Sequence, residues 1–225
     1  MVVQPGMSFK ALTIPMLARM GGDNAKVWAP LLRDVCAANG IDNDLRQSLF
    51  IATILTETSG LRHLVESFNY AATALPKVFG AMRISPFQAR SLGRPAGSIV
   101  PVSQEKQQMI ANIVYGGAWG LRNLGNTQPN DGWFFRGAGL IQLTGRANHT
   151  RFALMLGVPL VDLPALLSTP KGAADSAATF WRLRGCNQVA DKNAIKTIRA
   201  MVNGGSNGLD DFTLNAAKVL SVLQD

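Results

Sequence analysis

Between Leu49 and Leu55 the chain reads Leu-Phe-Ile-Ala-Thr-Ile-Leu, seven residues that leave a helix no polar face for water. A helix apolar nearly all round is stable only when protein surrounds it, so other helices have to pack about it. The chain supplies them at helical spacing. Residues 24–39 place Trp28, Leu31, Leu32, Val35 and Cys36 on one face and stop at Asn39-Gly40. Residues 104–115 follow a Ser103 cap, put Met109, Ile110, Ile113 and Val114 together, and end at Gly116-Gly117. Thr169-Pro170 opens a helix in cap-then-first-turn order, carrying Ala173, Ala177, Phe180 and Trp181. Asp191 is placed to cap a segment with Ile195, Ile198, Met201 and Val202, and Asp210-Asp211 precede a last helix with Phe212, Ala216, Val219 and Leu223 inward. Strand-like alternation is scarce, so the expected class is mainly α.

The 225 residues suffice for a full core in one domain or two small lobes. Residues 76–130 are rich in Pro, Gly and basic side chains, broken at Pro86, Gly93, Pro95, Gly97 and Pro101. They read as a smaller helical lobe inserted in a larger one made of 1–75 and 131–225, the whole of 1–225 being a single catalytic unit. Cys36 sits on an apolar helix face and reads as a core thiol, which suits a reducing cytoplasm. The first 30 residues hold no basic segment followed by an apolar one, and nowhere do about 18 apolar residues run uninterrupted, so neither a cleaved secretion signal nor a membrane span is expected. A substrate outside the cytoplasm would then require a separate delivery route. The formal charge of +8 implies attraction to an anionic polymer: nucleic acid, cell wall or outer-membrane lipid. Its arginines are scattered and form no DNA-reading motif, so they equally suit a solvated face.

The apolar helix runs into Thr56-Glu57-Thr58-Ser59-Gly60, and the second of only three glutamates, Glu66, follows nine positions after Glu57. Gly60 is suited to a left-handed helix end, so two carboxylates flank a turn. Glu57, leaving apolar surroundings, is expected to feel desolvation that favours its neutral form, and Glu66, in a more polar stretch, to stay ionised. Carboxyls with pKa values pushed apart are what glycoside hydrolysis requires. A helix-end Glu that simply reaches solvent fits the same residues. Further on, the glycine-rich stretch Asp131 to His149 departs from its helical neighbours. Read as extended, Leu140 to Thr144 points Ile141 and Leu143 to a core and Gln142 with Thr144 the other way. An amide and a hydroxyl side by side suit sugar hydroxyls, N-acetyl groups or a water. They equally suit a buried strand bonded to neighbouring loops.

Taken in order, Thr-Glu-Thr-Ser-Gly at 56–60, Glu66 with Phe68-Asn69-Tyr70, Asp131-Gly132-Trp133, Arg136-Gly137-Ala138-Gly139-Leu140-Ile141-Gln142-Leu143-Thr144-Gly145, and Val202-Asn203-Gly204-Gly205 resemble the glycoside hydrolase family 19 lysozymes found as bacteriophage endolysins, relatives of plant chitinases. The resemblance runs over roughly residues 30–225. It implies a lysozyme-like, two-lobed helical fold with a cleft between a larger and a smaller lobe. It also implies that Glu57 is the general acid, Glu66 the second acidic position, Thr144 the residue positioning the nucleophilic water, Gln142 a sugar-binding amide, and Asn203 the Asn of the Asn-Gly-Gly motif. Tyr70, Trp133 and Phe135 are candidate sugar-stacking surfaces or plain core. Thr56 stands where the family has His, Ala138 where it has Arg, and His149 where a Tyr is frequent.

The resulting expectation is a phage-type endolysin that hydrolyses β-1,4 bonds of peptidoglycan glycan strands, with no cofactor or metal. It would act as a monomer without nucleic acid or membrane insertion, made in the host cytoplasm and reaching the periplasmic wall through a separate membrane-permeabilising protein. The alternatives are a chitinase or a non-catalytic basic wall-binding module. Gly204-Gly205-Ser206-Asn207-Gly208 fits a nucleophile-elbow pattern, but no His follows residue 149. Gly137 to Gln142 ends in Gln and opens no capped helix, against dinucleotide binding. Two histidines in separate segments, with both cysteines in apolar helical patterns, argue against a zinc amidase or a cysteine peptidase.

Overall fold

The computed structural model describes residues 11–225; the first ten positions of the stretch read for a secretion signal lie outside them. Two compact units divide the chain. The first takes the described residues up to Leu64, Gly139–Ile141 and Leu167–Asp225; the second takes Val65–Ala138 and Gln142–Leu166. No helix among the described residues is long and apolar enough to cross a membrane.

In the first unit, α1 (Ile14–Met20), α2 (Ala25–Ala38) and α3 (Asp44–Glu57) lead the chain in. Every residue from Leu49 to Leu55 is buried, so the all-apolar run is the central helix its composition demands. The second unit carries α4 (Leu75–Phe79), α5 (Pro86–Leu92), α6 (Gln104–Val114), α7 (Gly117–Leu124), α8 (Asp131–Phe134) and α9 (Arg146–Leu156). After α10 (Leu163–Leu167) the chain returns to the first unit as α11 (Pro170–Leu183), α12 (Cys186–Ala190), α13 (Ile195–Asn203) and α14 (Leu209–Gln224). There α14 packs on α3, and α11 on α2. Thr169 caps α11 by accepting the Gly172 N–H at 3.1 Å, with Pro170 in the first turn. Phe212, Ala216, Val219 and Leu223 form the buried stripe of α14. Cys36 and Cys186 are free and buried; burial raises the Cys36 thiol, and raises the Cys186 thiol to about 11.

Two helix readings need correction. Asp191 does not cap α13, whose start at Ala194 has no side-chain cap. It follows the last residue of α12, and its two oxygens take the Arg46 fork at 2.8 and 2.7 Å, a bidentate pair stronger than a single cap bond. Met109 is 53% exposed, because the inward stripe of α6 runs Ile110, Ala111 and Val114.

The second unit reaches beyond the insertion expected at 76–130. It begins at Val65 because Phe68 is fully buried in its core with Leu75, Phe79, Ile84, Ile110 and Val114. It extends to α9 because Arg146 ion-pairs with Asp131 at 2.6 Å and its backbone N–H donates to Asn126 Oδ1 at 2.8 Å. In this unit α8 lies close against α6. A methyl group on Gly132 would come within 2.4 Å of the Ala111 carbonyl oxygen, so only glycine permits the approach.

Candidate active site

Glu57 closes α3, and its side chain is 15% exposed. The surroundings are not apolar as expected: Arg199 of α13 donates through Nη1 to Glu57 Oε1. The same guanidinium donates through Nε to the Asn207 carbonyl oxygen at 2.6 Å. Asn203 Nδ2 donates to that oxygen as well, at 2.7 Å, while its Oδ1 accepts the Gly205 N–H at 2.9 Å. Asn203 therefore pins the loop that holds Arg199 against Glu57. Thr56 donates to the Ala52 carbonyl oxygen at 2.8 Å and accepts from Asn215 of α14 at 2.9 Å.

In the second unit Glu66 meets the glycine-rich stretch through its backbone, donating its N–H to the Gly137 carbonyl oxygen at 2.8 Å. Its Oε2 accepts the Gly137 N–H at 3.1 Å and its Oε1 accepts the Tyr115 hydroxyl at 2.8 Å. The polar stretch expected around Glu66 is in the structure a largely buried setting. Burial raises its carboxyl above the usual range, against the lowering effect of Tyr115, the Gly137 N–H and Arg136.

The extended reading of Leu140 to Thr144 also fails. Ala138 and Leu143 bond reciprocally, N–H to carbonyl oxygen, at 3.1 and 2.9 Å, closing a tight turn, and Gln142 takes φ +49°. The turn nevertheless puts Gln142 and Thr144 on the same side, by folding where a pleat was expected. A methyl group on Gly137 would lie 2.9 Å from Gln142 Oε1, 3.3 Å from Glu66 Oε2 and 3.3 Å from Thr144 Oγ1. Three oxygens thus converge over a residue that has no side chain to fill the space. Thr144 Oγ1 donates its hydrogen to the Gln142 carbonyl oxygen at 3.0 Å, which leaves its lone pairs as acceptors.

Tyr70 is half-buried against Phe68 and Phe79, and its hydroxyl pKa is raised by burial and by the Glu66 charge. Trp133 has the Arg136 guanidinium 3.6 Å from its ring centre, so one face is already covered. Phe135 is core, 2% exposed, with its ring 5.0 Å from that of His149. Burial lowers the His149 pKa to about 4, and its Nδ1 lies 3.0 Å from the Gly145 carbonyl oxygen. Glu66, Gln142 and Thr144 thus come together in one unit, and Glu57 and Asn203 are linked through Arg199 and Asn207 in the other. Arg199 and Tyr115 were not singled out by sequence. Their partners lie 142 and 49 positions away, beyond any local pattern.

No family model matches the chain. Over 174 residues it is 29% identical to a glycosyl hydrolase family 19 domain-containing protein of Haemophilus influenzae, a match covering 76% of the chain and 77% of the relative. The chain is thus similar to a family 19 glycosyl hydrolase over most of its length. Its fold is that of chitinase C from Streptomyces griseus HUT6037, with a TM-score of 0.58 over 98% of this chain and 79% of that one. At 15% identity that likeness speaks for the mainly helical, lysozyme-like architecture alone.

Proposed function

We propose that this glycoside hydrolase cleaves β-1,4 bonds of peptidoglycan glycan strands by single displacement, with Glu57 as acid and Glu66 as base. The observation that carries the reading is the convergence of Glu66 Oε2, Thr144 Oγ1 and Gln142 Oε1 over Gly137. A water has two hydrogens to give. Donated to Glu66 and to Thr144, whose own hydrogen is held by the Gln142 carbonyl, they leave a lone pair free to attack the anomeric carbon. Glu66 takes the proton as the new C–O bond forms, Glu57 protonates the bridging oxygen as the old bond breaks, and the product has inverted configuration. The burial that raises Glu66 makes it a stronger base, provided the working pH stays above its pKa. Gln142 orients the sugar, Asn203 acts by fixing the loop that carries Arg199, and Tyr70 and Trp133 offer apolar surface to sugar rings.

Peptidoglycan is preferred to poly-N-acetylglucosamine because a +8 chain suits an anionic wall. We place the protein among phage-type endolysins on the motif resemblance, made in the host cytoplasm as a monomer and admitted to the wall by a separate membrane-permeabilising protein.

A second reading exchanges the two carboxylates, and the raised pKa of Glu66 favours it, since a high-pKa carboxyl suits an acid. An aryl glycoside whose leaving group needs no protonation separates them. With Glu57 as acid, Glu57→Gln loses about two or more orders of magnitude on the natural glycan but little on the aryl substrate, whereas Glu66→Gln loses heavily on both. The opposite pattern assigns the acid to Glu66, and full activity of either variant on the natural glycan removes that residue from the reaction.

A further inference from the structure

We propose that Tyr115 is the positioning residue of the base: its hydroxyl fixes Glu66 Oε1 so that Oε2 is the oxygen presented over Gly137. This rests on the reading of Glu66 as the base. The bond is 2.8 Å long, and with the 3.1 Å bond from the Gly137 N–H it holds both carboxylate oxygens at once. A carboxylate held at one oxygen turns freely about its last torsion, whose minimum is broad. Held at both, it presents one fixed lone-pair direction, and misplacement of a reacting group by about 1 Å costs on the order of 10²-fold.

Tyr115 is itself held far more firmly than a surface tyrosine. It terminates α6, its N–H bonded to the Ala111 carbonyl oxygen at 2.9 Å, and its own carbonyl oxygen accepts from Asn126 Nδ2 at 2.8 Å. Its ring meets Phe68 edge-on at 5.6 Å and Phe79 at 6.0 Å. On another side Trp119 stacks at 6.3 Å, and the Arg83 guanidinium covers Trp119 at 4.0 Å. The groups facing Glu66 are Tyr115 and the Gly137 N–H in direct contact, with Arg136 acting through its charge and a neutral Tyr70 close enough to feel the Glu66 charge. Burial, then the Glu66 charge, raises the Tyr115 phenol above its ordinary value, so it remains a donor wherever Glu66 is ionised.

The bond favours the charged form of Glu66. Removing it raises the Glu66 pKa, and because a base works only when ionised, the acidic limb of kcat/KM moves to higher pH. Tyr115→Phe keeps the ring and its packing. On a soluble glycan we expect the acidic limb to rise by about one pH unit, and kcat above it to fall about tenfold or more with KM little changed. The chain has three glutamates, so protein labelled with carbon-13 at the glutamate carboxyls gives three resonances, and Glu66→Gln identifies one of them. That resonance is expected to titrate higher in Tyr115→Phe. With both tyrosines replaced by 3-fluorotyrosine, all contacts are kept, the more acidic phenol donates more strongly, and the same resonance is expected to titrate lower. An unmoved Glu66 titration in both proteins, with Glu66→Gln inactive, overturns the role given to Tyr115. Substantial activity in Glu66→Gln instead overturns the assignment of the base.

Discussion

Gly137 is where a single added carbon tests the chemistry most sharply. A methyl group there meets side-chain oxygens of Gln142, Glu66 and Thr144 rather than backbone. The fold can accommodate it, but it would occupy the position proposed for the water. Gly137→Ala is therefore expected to shift the thermal midpoint by only a few degrees, as fits a cost of about 1 kcal/mol, while glycan cleavage falls on the order of 10²-fold. Equal losses of stability and activity, measured by calorimetry and reducing-end release, would remove Gly137 from the water site. The sequence pointed to Glu66, Gln142 and Thr144, which the structure brings together about Gly137, but the environments of the two carboxylates stayed hidden. Glu57 read as a carboxyl in apolar surroundings because Arg199 arrives from 142 positions away. Glu66 read as lying in a polar stretch because the groups that meet it, a tyrosine and a glycine turn, are remote in the chain.

Helices were legible where local signals decide them. The Thr169-Pro170 start, the buried run from Leu49 and the α14 stripe depend on spacing and caps within one element. The misreadings arose where a distant partner competes with a local rule, as Arg46 does for Asp191. Leu140 to Thr144 was misread because glycine positions and the positive φ of Gln142 close a turn that alternation alone cannot distinguish from a strand. The pair joining α8 to α9 belongs to this scale. Burial alone would raise the Asp131 carboxyl, but Arg146 and the N–H groups of Gln128 and Thr127 outweigh it and hold it below the usual range. A depressed folded pKa stabilises above the unfolded value, about 3.9, and that contribution fades as pH falls through the folded value. Asp131→Asn is thus expected to cost about 3 kcal/mol near pH 7 and progressively less toward strong acid. A penalty in urea unfolding that does not shrink at low pH would contradict the electrostatic account of this pair.

For the whole molecule, composition and periodicity were enough for the class, and ordered motifs for the relationship. The boundaries of the two units followed from contacts that no composition shift marks, such as Phe68 entering the second core. A charge of +8 spread over scattered arginines suggests loose capture of an anionic wall. With a Debye length of about 10 Å at 0.1 M and about 3 Å at 1 M ionic strength, salt should slow lysis of whole sacculi far more than cleavage of a short soluble glycan at saturation. Equal slowing of both would return the charge to a solubility role.

Hydrolysis of peptidoglycan glycosidic bonds, with Glu57 and Glu66 as the proposed acid-base pair, must leave new reducing ends on the glycan. Purified sacculi digested by the protein, reduced with labelled borohydride and analysed by mass spectrometry test it most directly. The account predicts muropeptides with intact stem peptides and newly labelled reducing sugars, absent from digests by Glu57→Gln and Glu66→Gln. Release of free peptides without new reducing ends, or the same labelled products from either variant, would contradict it.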